Sequence, residues 1–270
     1  MIVALSLALI VLMSVLIFLA GKYFAEASSN LGTHLRLPRS VKGATFDAVS
    51  SSLPELLVAV FSVLAFKQFE VGIGTIAGSA FFNILIIPGI CILAAPSLVK
   101  VSRQVVTRDG VFNIIALLLL IGAMLYSRQW GIIVPVVFFL GYVAYLIVIM
   151  RHTHQHQKHH KDRPVDTHPM RDITIMVFTL IVIGYATYQL TGSAIALSEG
   201  LGVSAVVISF TIVASATSVP DAVVSIMNAK KGHYDDAISN VFGSNSFNIF
   251  VGLSIPLFLA MIFSGPVEVT

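Results

Sequence analysis

Charge is what this chain has least of. Lys, Arg, Asp and Glu together make up 11% of its 270 residues, against roughly 25% in a soluble domain. That scarcity excludes a water-soluble globular protein, and a formal net charge of only +3 reflects loops rather than a nucleic-acid-binding field. Cysteine is nearly absent too. The single Cys91 lies in an apolar run, can form no intrachain disulfide and reads as a small core residue. The first 20 residues hold no Lys or Arg, so the basic start of a secretory leader is missing and the first apolar run is expected to stay as a helix.

What is abundant is apolar: 57% of residues. They group into eight runs, at about 2–20, 41–66, 71–95, 111–127, 131–150, 172–192, 202–228 and 237–262. Each is near the ~20 residues that cross ~30 Å of hydrocarbon. Backbone groups in lipid must bond internally, so the runs are expected to be helices. If all eight cross, Lys22, Arg36, Arg39, Lys42, Lys100, Arg103, Arg108, Arg151, Lys158, Lys161, Arg163, Arg171, Lys230 and Lys231 fall on one side, and only Lys67 and Arg128 on the other. The positive-inside rule makes the first side cytoplasmic and both termini external, in what is expected to be the plasma (inner) membrane.

Two of the runs repeat. Ser52-Leu53-Pro54-Glu55 is followed by Gly78-Ser79-Ala80-Phe81-Phe82-Asn83, and Ser218-Val219-Pro220-Asp221 by Gly243-Ser244-Asn245-Ser246-Phe247-Asn248. The offset is 166 residues for the first element and 165 for the second. Copy one occupies spans two and three, copy two spans seven and eight. Corresponding helices are five places apart in span order, an odd offset, so the copies run in opposite directions. The expected fold is an all-α integral membrane protein of about eight transmembrane helices built as an inverted-topology repeat, a plan of secondary transporters with the site near the midplane.

The residue types within each copy suit a cation. Pro54 has no N–H, so the Ser50 carbonyl loses its helical partner; Pro220 does the same to Ala216, and the ring loosens the next carbonyls, on Ser51 and Thr217. Ser51 and Ser52 share a helix face with Glu55, Thr217 and Ser218 with Asp221, Ser79 with Asn83, and Ser244 with Asn248. Carboxylates, amide oxygens, hydroxyls and freed carbonyls are hard donors that suit Ca²⁺ or Na⁺ rather than soft metals. A carboxylate at mid-membrane costs about 2.5–3.5 kcal/mol on insertion scales. Apart from Lys42 at the very edge of the second run, no Lys or Arg falls inside the eight runs to neutralise Glu55 and Asp221, so one divalent ion, two monovalent ions or two protons must. A kinking proline beside a serine, or one Gly-Ser pair, is commonly a packing device; the duplication at fixed spacing argues for function. Gly72, Gly74 and Gly78 read as points of close helix approach. Asp47 has no acidic counterpart in copy two and reads as a vestibule residue.

These paired motifs resemble the two α-repeat signatures of the cation/calcium antiporter superfamily, the sodium/calcium exchanger group. The resemblance covers nearly the whole chain. It implies an antiporter that exports Ca²⁺ against Na⁺ or H⁺ by alternating access, with no cofactor and no enzymatic activity. It implies that Glu55 and Asp221 hold Ca²⁺ with backbone oxygens of Ser51 and Thr217, and that Ser52, Ser79, Ser218, Ser244, Asn83 and Asn248 occupy positions that line Na⁺ sites.

There are departures from the family pattern. Asp221 stands where Glu is usual, and Asn248 where Na⁺-using members often carry Asp and many proton-coupled members Asn. Gly74-Thr75 and Ser239-Asn240 replace the usual Gly-Asn, and Ala80 a common Asn. The family usually has ten spans and this chain shows eight. It is therefore short, a fragment, or completed by a partner, self-association being one route; a truncated non-transporting homologue is a further alternative. Residues 1–150 are expected to form the first repeat, 151–171 a solvated, partly disordered cytoplasmic linker, and 172–270 the second repeat. The linker carries His152, His154, His156, His159, His160 and His168, a spacing that can bind a transition metal weakly and does not resemble an EF-hand. An intramembrane aspartyl protease would need Gly-x-Gly-Asp, whereas Asp221 follows Val219-Pro220, and a channel gives no reason for inverted repeats with buried acids.

Overall fold

The computed structural model of the chain describes residues 2–35, 46–127, 129–156, 168–263 and 265–268. In chain order its helices are α1 (Ile2–His34), α2 (Ala48–Ser51), α3 (Leu53–Leu64), α4 (Phe69–Phe81), α5 (Ile87–Ala94), α6 (Arg103–Val105), α7 (Val111–Tyr126), α8 (Ile133–His156), α9 (Pro169–Leu201), α10 (Ala205–Ile208), α11 (Ala214–Thr217), α12 (Val219–Lys230) and α13 (Tyr234–Phe263). Five-residue π-helical turns, Phe82–Ile86, Val106–Gly110 and Ser209–Val213, join α4 to α5, α6 to α7 and α10 to α11. Strands β1 (Gln129–Trp130) and β2 (Val267–Glu268) pair antiparallel, Gln129 opposite Glu268.

Among the described residues, six helices are long and apolar enough to cross a membrane: Ile2–His34, Phe69–Ala94, Val106–Tyr126, Ile133–Arg151, Pro169–Leu201 and Tyr234–Phe263. The pair Ala205–Thr217 and Val219–Lys230 is bent by 45°. The expected span at 41–66 is described from Phe46 and breaks at Ser52 between α2 and α3. The expected count of eight therefore rests on joining both broken helices across their breaks, which fall at the duplicated proline motif. Proline at the start of α3 and of α12 fits a first helical turn, where a missing N–H costs nothing.

Helix ends differ from the sequence expectation. The first and sixth runs were expected over 2–20 and 172–192, but α1 and α9 are each 33 residues, about 50 Å at 1.5 Å per residue. Each is longer than the ~30 Å of hydrocarbon a span must cross. They pack along each other through Ile10, Met13 and Ile17 on one side and Ala186, Leu190 and Ala194 on the other. The expectation for the histidine-rich linker falls mostly on 157–167, outside the described residues.

The connections sort onto two sides as the alternation requires. Lys67, Gln68 and Glu70 line one cleft with Ser198, Glu199 and Glu268, and Gln129 pairs with Glu268, so the α3–α4 turn, the β1 connection, the end of α9 and the C-terminal strand share a side. On the opposite side Ser97 and Ser102 bond Tyr234 and Asp235, and Asn30 bonds Asp172. This second, basic side carries Lys230 and Lys231. Helix α3 therefore runs toward Lys67 on one side and α12 toward Lys230 on the other, which is the inverted repeat.

Arg108, expected in a connection because the fourth run was taken to begin at 111, lies near the start of the apolar helix Val106–Tyr126, its Nε and Nη2 gripping Asp109 at 2.6 and 2.8 Å. Asp109 is fully buried and also accepts from Ser239 of α13 at 2.7 Å. This cation, at the helix start, is already held by its neighbouring acid.

Candidate ion-binding site

Proline builds the site's framework. The backbone ladder passes from Ser52 N–Ala48 O to Leu56 N–Ser52 O, and in copy two from Ser218 N–Ala214 O to Ala222 N–Ser218 O. Ser52 (φ −96°, ψ 6°) and Ser218 (φ −80°, ψ 0°) are the hinge residues. Each break starts a new helix with its acid in the first turn: Glu55 on α3 and Asp221 on α12. A helix N-terminus favours a negative side chain.

Close packing brings the second motif of each copy to these breaks. A Cβ on Gly78 would run into the Phe210 carbonyl, and one on Gly72 would lie 2.7 Å from Ser62 Oγ. Without side chains there, α4 seats against the 209–213 turn and against α3. The π turn carries Asn83 at its second position. Asn248 lies in the unbroken α13.

All ten residues expected from the sequence are buried, and nine of them, Ser51 at 3% excepted, show no exposure at all. Glu55 Oε1 accepts from Ser79 Oγ at 3.4 Å and from Ser218 Oγ at 3.3 Å. Asp221 accepts from Ser244 Oγ at 2.9 Å on one oxygen and from Asn83 Nδ2 at 3.2 Å on the other. Ser79 Oγ joins Ser218 Oγ (2.9 Å) and Asn248 Nδ2 (3.2 Å), and Ser51 Oγ lies 3.3 Å from Ser244 Oγ. Each acid is held by its own copy and by the other. Thr217 differs: its hydroxyl turns back to the Val213 and Ala214 carbonyls, at 3.2 and 3.3 Å. Its proton is spent there, which leaves oxygen lone pairs and the backbone oxygen for a ligand. Asp47 is half-buried and lies outside this set.

The informative atoms are those without partners. Ser52 Oγ, Glu55 Oε2, Asn83 Oδ1 and Asn248 Oδ1 are buried and make no hydrogen bond. Both amides spend their nitrogen on protein acceptors and keep their oxygen free. A buried polar group left unpaired costs about 1–3 kcal/mol, more if charged. Three neutral oxygens and one carboxylate oxygen, gathered around Glu55 and Asp221, form a donor set that a hard cation satisfies. No group of three or more His, Cys, Asp or Glu among the described residues could hold a metal, so the two acids depend on neutral oxygens.

The sequence reading missed some residues. Asn245 donates to the Ala80 carbonyl at 3.3 Å, tying α13 to α4 across the repeat. Asn240 donates to Ser225 Oγ at 3.1 Å and to the Asp221 carbonyl at 3.5 Å. Their absence from copy one, which has Ala80 and Thr75 there, was the available signal and was read only as a departure.

The family model described as sodium/calcium exchanger protein matches residues 5–151 and 172–270. Inner membrane protein YrbG of Escherichia coli (strain K12) is 28% identical over 98% of this chain and 82% of its own length. Sodium/potassium/calcium exchanger 4 of Homo sapiens is 37% identical over 124 residues, 45% of this chain and 20% of the human protein. Among solved structures, the sodium-calcium exchanger NCX_Mj soaked with 2.5 mM Na⁺ and 10 mM Sr²⁺ superposes with a TM-score of 0.63 at 23% identity, covering 94% of this chain and 82% of that one. At that identity the superposition speaks for the fold.

Proposed function

The chain belongs to the sodium/calcium exchanger protein family, and on that premise we propose that it exchanges Ca²⁺ for Na⁺ across the membrane by alternating access, with Glu55 and Asp221 as the charged ligands. The family is one of cation antiporters, not of enzymes. The observation that carries the reading is a pair of buried carboxylates with four partnerless oxygens, one on Glu55 itself and three neutral ones on Ser52, Asn83 and Asn248. Sodium and calcium appear in the names of the human relative and of the solved structure, which supports this pair of ions.

The chemistry is charge replacement. The bare site would hold two negative charges away from water, a state too costly to traverse the membrane. Ca²⁺ discharges it in one step; monovalent cations discharge it in several. Only discharged forms cross between inward and outward access, so outward passage of one ion obliges return of the other. In this scheme Ser51 and Thr217 contribute backbone oxygens. Ser52, Ser79, Ser218, Ser244, Asn83 and Asn248 contribute neutral oxygens of the kind that suit dehydrated Na⁺.

Proton coupling is the second reading, and a specific observation favours it. Asn83 and Asn248 are both neutral, and a site with two negative charges holds three Na⁺ poorly. Proteoliposomes separate the two. ⁴⁵Ca²⁺ uptake should follow an outward Na⁺ gradient at uniform pH; uptake driven by a pH gradient and not by Na⁺ would keep the antiporter and replace Na⁺ with H⁺.

Orientation is part of the proposal. The basic side is cytoplasmic by the positive-inside rule, and the name of the Escherichia coli relative supports an inner membrane. A cysteine introduced at Thr33 or His156 should react with an impermeant thiol reagent from the cytoplasm, and one at Gln68 from outside. Reaction of all three from one side would contradict the inverted arrangement.

A further inference from the structure

The two copies differ one helical turn from the acids. On the basic side of the site, Ser225 follows Asp221 by four residues on α12, and Asn240 precedes Ser244 by four on α13, so each lies one turn nearer Lys230 than the site residue it shares a face with. Ser225 is fully buried and Asn240 half-buried. The Asn240 amide nitrogen bridges the helices, 3.1 Å from Ser225 Oγ and 3.5 Å from the Asp221 carbonyl oxygen. On the opposite side the equivalent positions are Ala59 and Thr75, both fully buried. Thr75 Oγ1 turns back to the Val71 carbonyl at 2.8 Å. Ser62 does the same to Ala59, and a Cβ on Gly72 would lie 3.0 Å from Ala59 Cα. Copy one is closed there by backbone contact. Copy two is bridged there by a single amide that grades outward into half-buried polar surface.

We propose that Ser225, Asn240 and the Asp221 carbonyl form a transit subsite through which the transported cation passes between the main site and the basic side. This rests on the exchanger reading above. An amide N–H₂ held by two oxygens occupies the place a cation would take, since both are positive partners for the same lone pairs. Rotation of the Asn240 side chain withdraws the nitrogen and offers its carbonyl oxygen, so the arriving ion meets three neutral oxygens. Neutral ligands suit a stepping stone: they replace part of the hydration shell without holding the ion as two carboxylates do. The asymmetry places the stepping stone on one face only.

The test is sided. Everted and right-side-out vesicles carrying wild type, Asn240→Ala or Ser225→Ala are assayed for counter-ion-driven ⁴⁵Ca²⁺ flux as Ca²⁺ is varied on each face. Either variant should raise the half-saturating Ca²⁺ on the basic face about tenfold, and on the opposite face by less than about twofold, where a tenfold change is about 1.4 kcal/mol. Asn240→Asp should shift the basic-face value the other way, because the added charge retains the cation. Equal shifts on both faces, or none on either, would overturn the subsite while leaving the exchanger intact. Lack of counter-ion-driven flux in wild-type vesicles would remove the exchanger reading and the subsite with it. If Asn240→Ala does not reach the membrane, Ser225→Ala, which deletes one hydroxyl, carries the same test.

Discussion

Replacing Glu55 with Gln should lower Ca²⁺ flux by at least about 100-fold with little change in the amount of protein in the membrane. The amide keeps the size of the carboxylate and an oxygen to accept from Ser79 and Ser218, so the helix breaks and packing have no reason to change. What is lost is charge. A unit pair at about 4 Å is worth about 4 kcal/mol at an effective dielectric of about 20, and a divalent ion doubles it. Desolvation offsets part of that, but about 2.7 kcal/mol already suffices for 100-fold. Asp221→Asn should match it in flux and exceed it in side effects, because an introduced amide nitrogen can face the Asn83 Nδ2 that now donates to Asp221. ⁴⁵Ca²⁺ uptake normalised to membrane protein checks both; wild-type flux in Glu55→Gln would remove the basis of the proposed site.

The largest expected effect on stability lies elsewhere, at Arg108→Ala. Arg108 holds Asp109 through two charge-assisted hydrogen bonds, its side chain only 12% exposed and that of Asp109 0%. Removing one partner of such a pair strands a buried charge and costs about 3–5 kcal/mol. Asp109 also accepts from Ser239 near the start of α13, so the loss should loosen a site helix. Thermal unfolding in detergent should fall well below wild type for Arg108→Ala and recover substantially in Arg108→Ala/Asp109→Ala, which leaves no unpaired ion. Equal melting of wild type and the single variant would mean that the pair is solvated.

The sequence made the repeat legible because it is written in residue types with strong physical meaning. Proline with an acid beside it marks a loosened turn of a membrane helix, acids in lipid need a counter-charge, and an offset of an odd number of spans inverts a copy. Those facts placed Glu55, Asp221 and the serine and asparagine partners before any coordinate. What stayed hidden depends on partners rather than types. Arg108 and Asp109 are adjacent, a spacing whose side chains do not ordinarily meet on a helix; here both lie in the π turn Val106–Gly110, where Asp109 is buried. The bridge from Asn240 to Ser225 joins residues 15 apart in sequence, and nothing in either short stretch announces the other. The extra length of α1 and α9 was hidden for another reason: hydropathy marks where lipid ends, not where the helix does.

Joint possession of one cation by the two inverted copies is the central claim, and equilibrium ⁴⁵Ca²⁺ binding to purified wild type, Glu55→Gln and Asp221→Asn tests it most directly. The account predicts one Ca²⁺ per chain in the wild type, displaced by excess of the coupling cation, and loss of that binding in each single variant, because neither copy holds the ion alone. Two ions per chain, with one surviving in each variant, would contradict it.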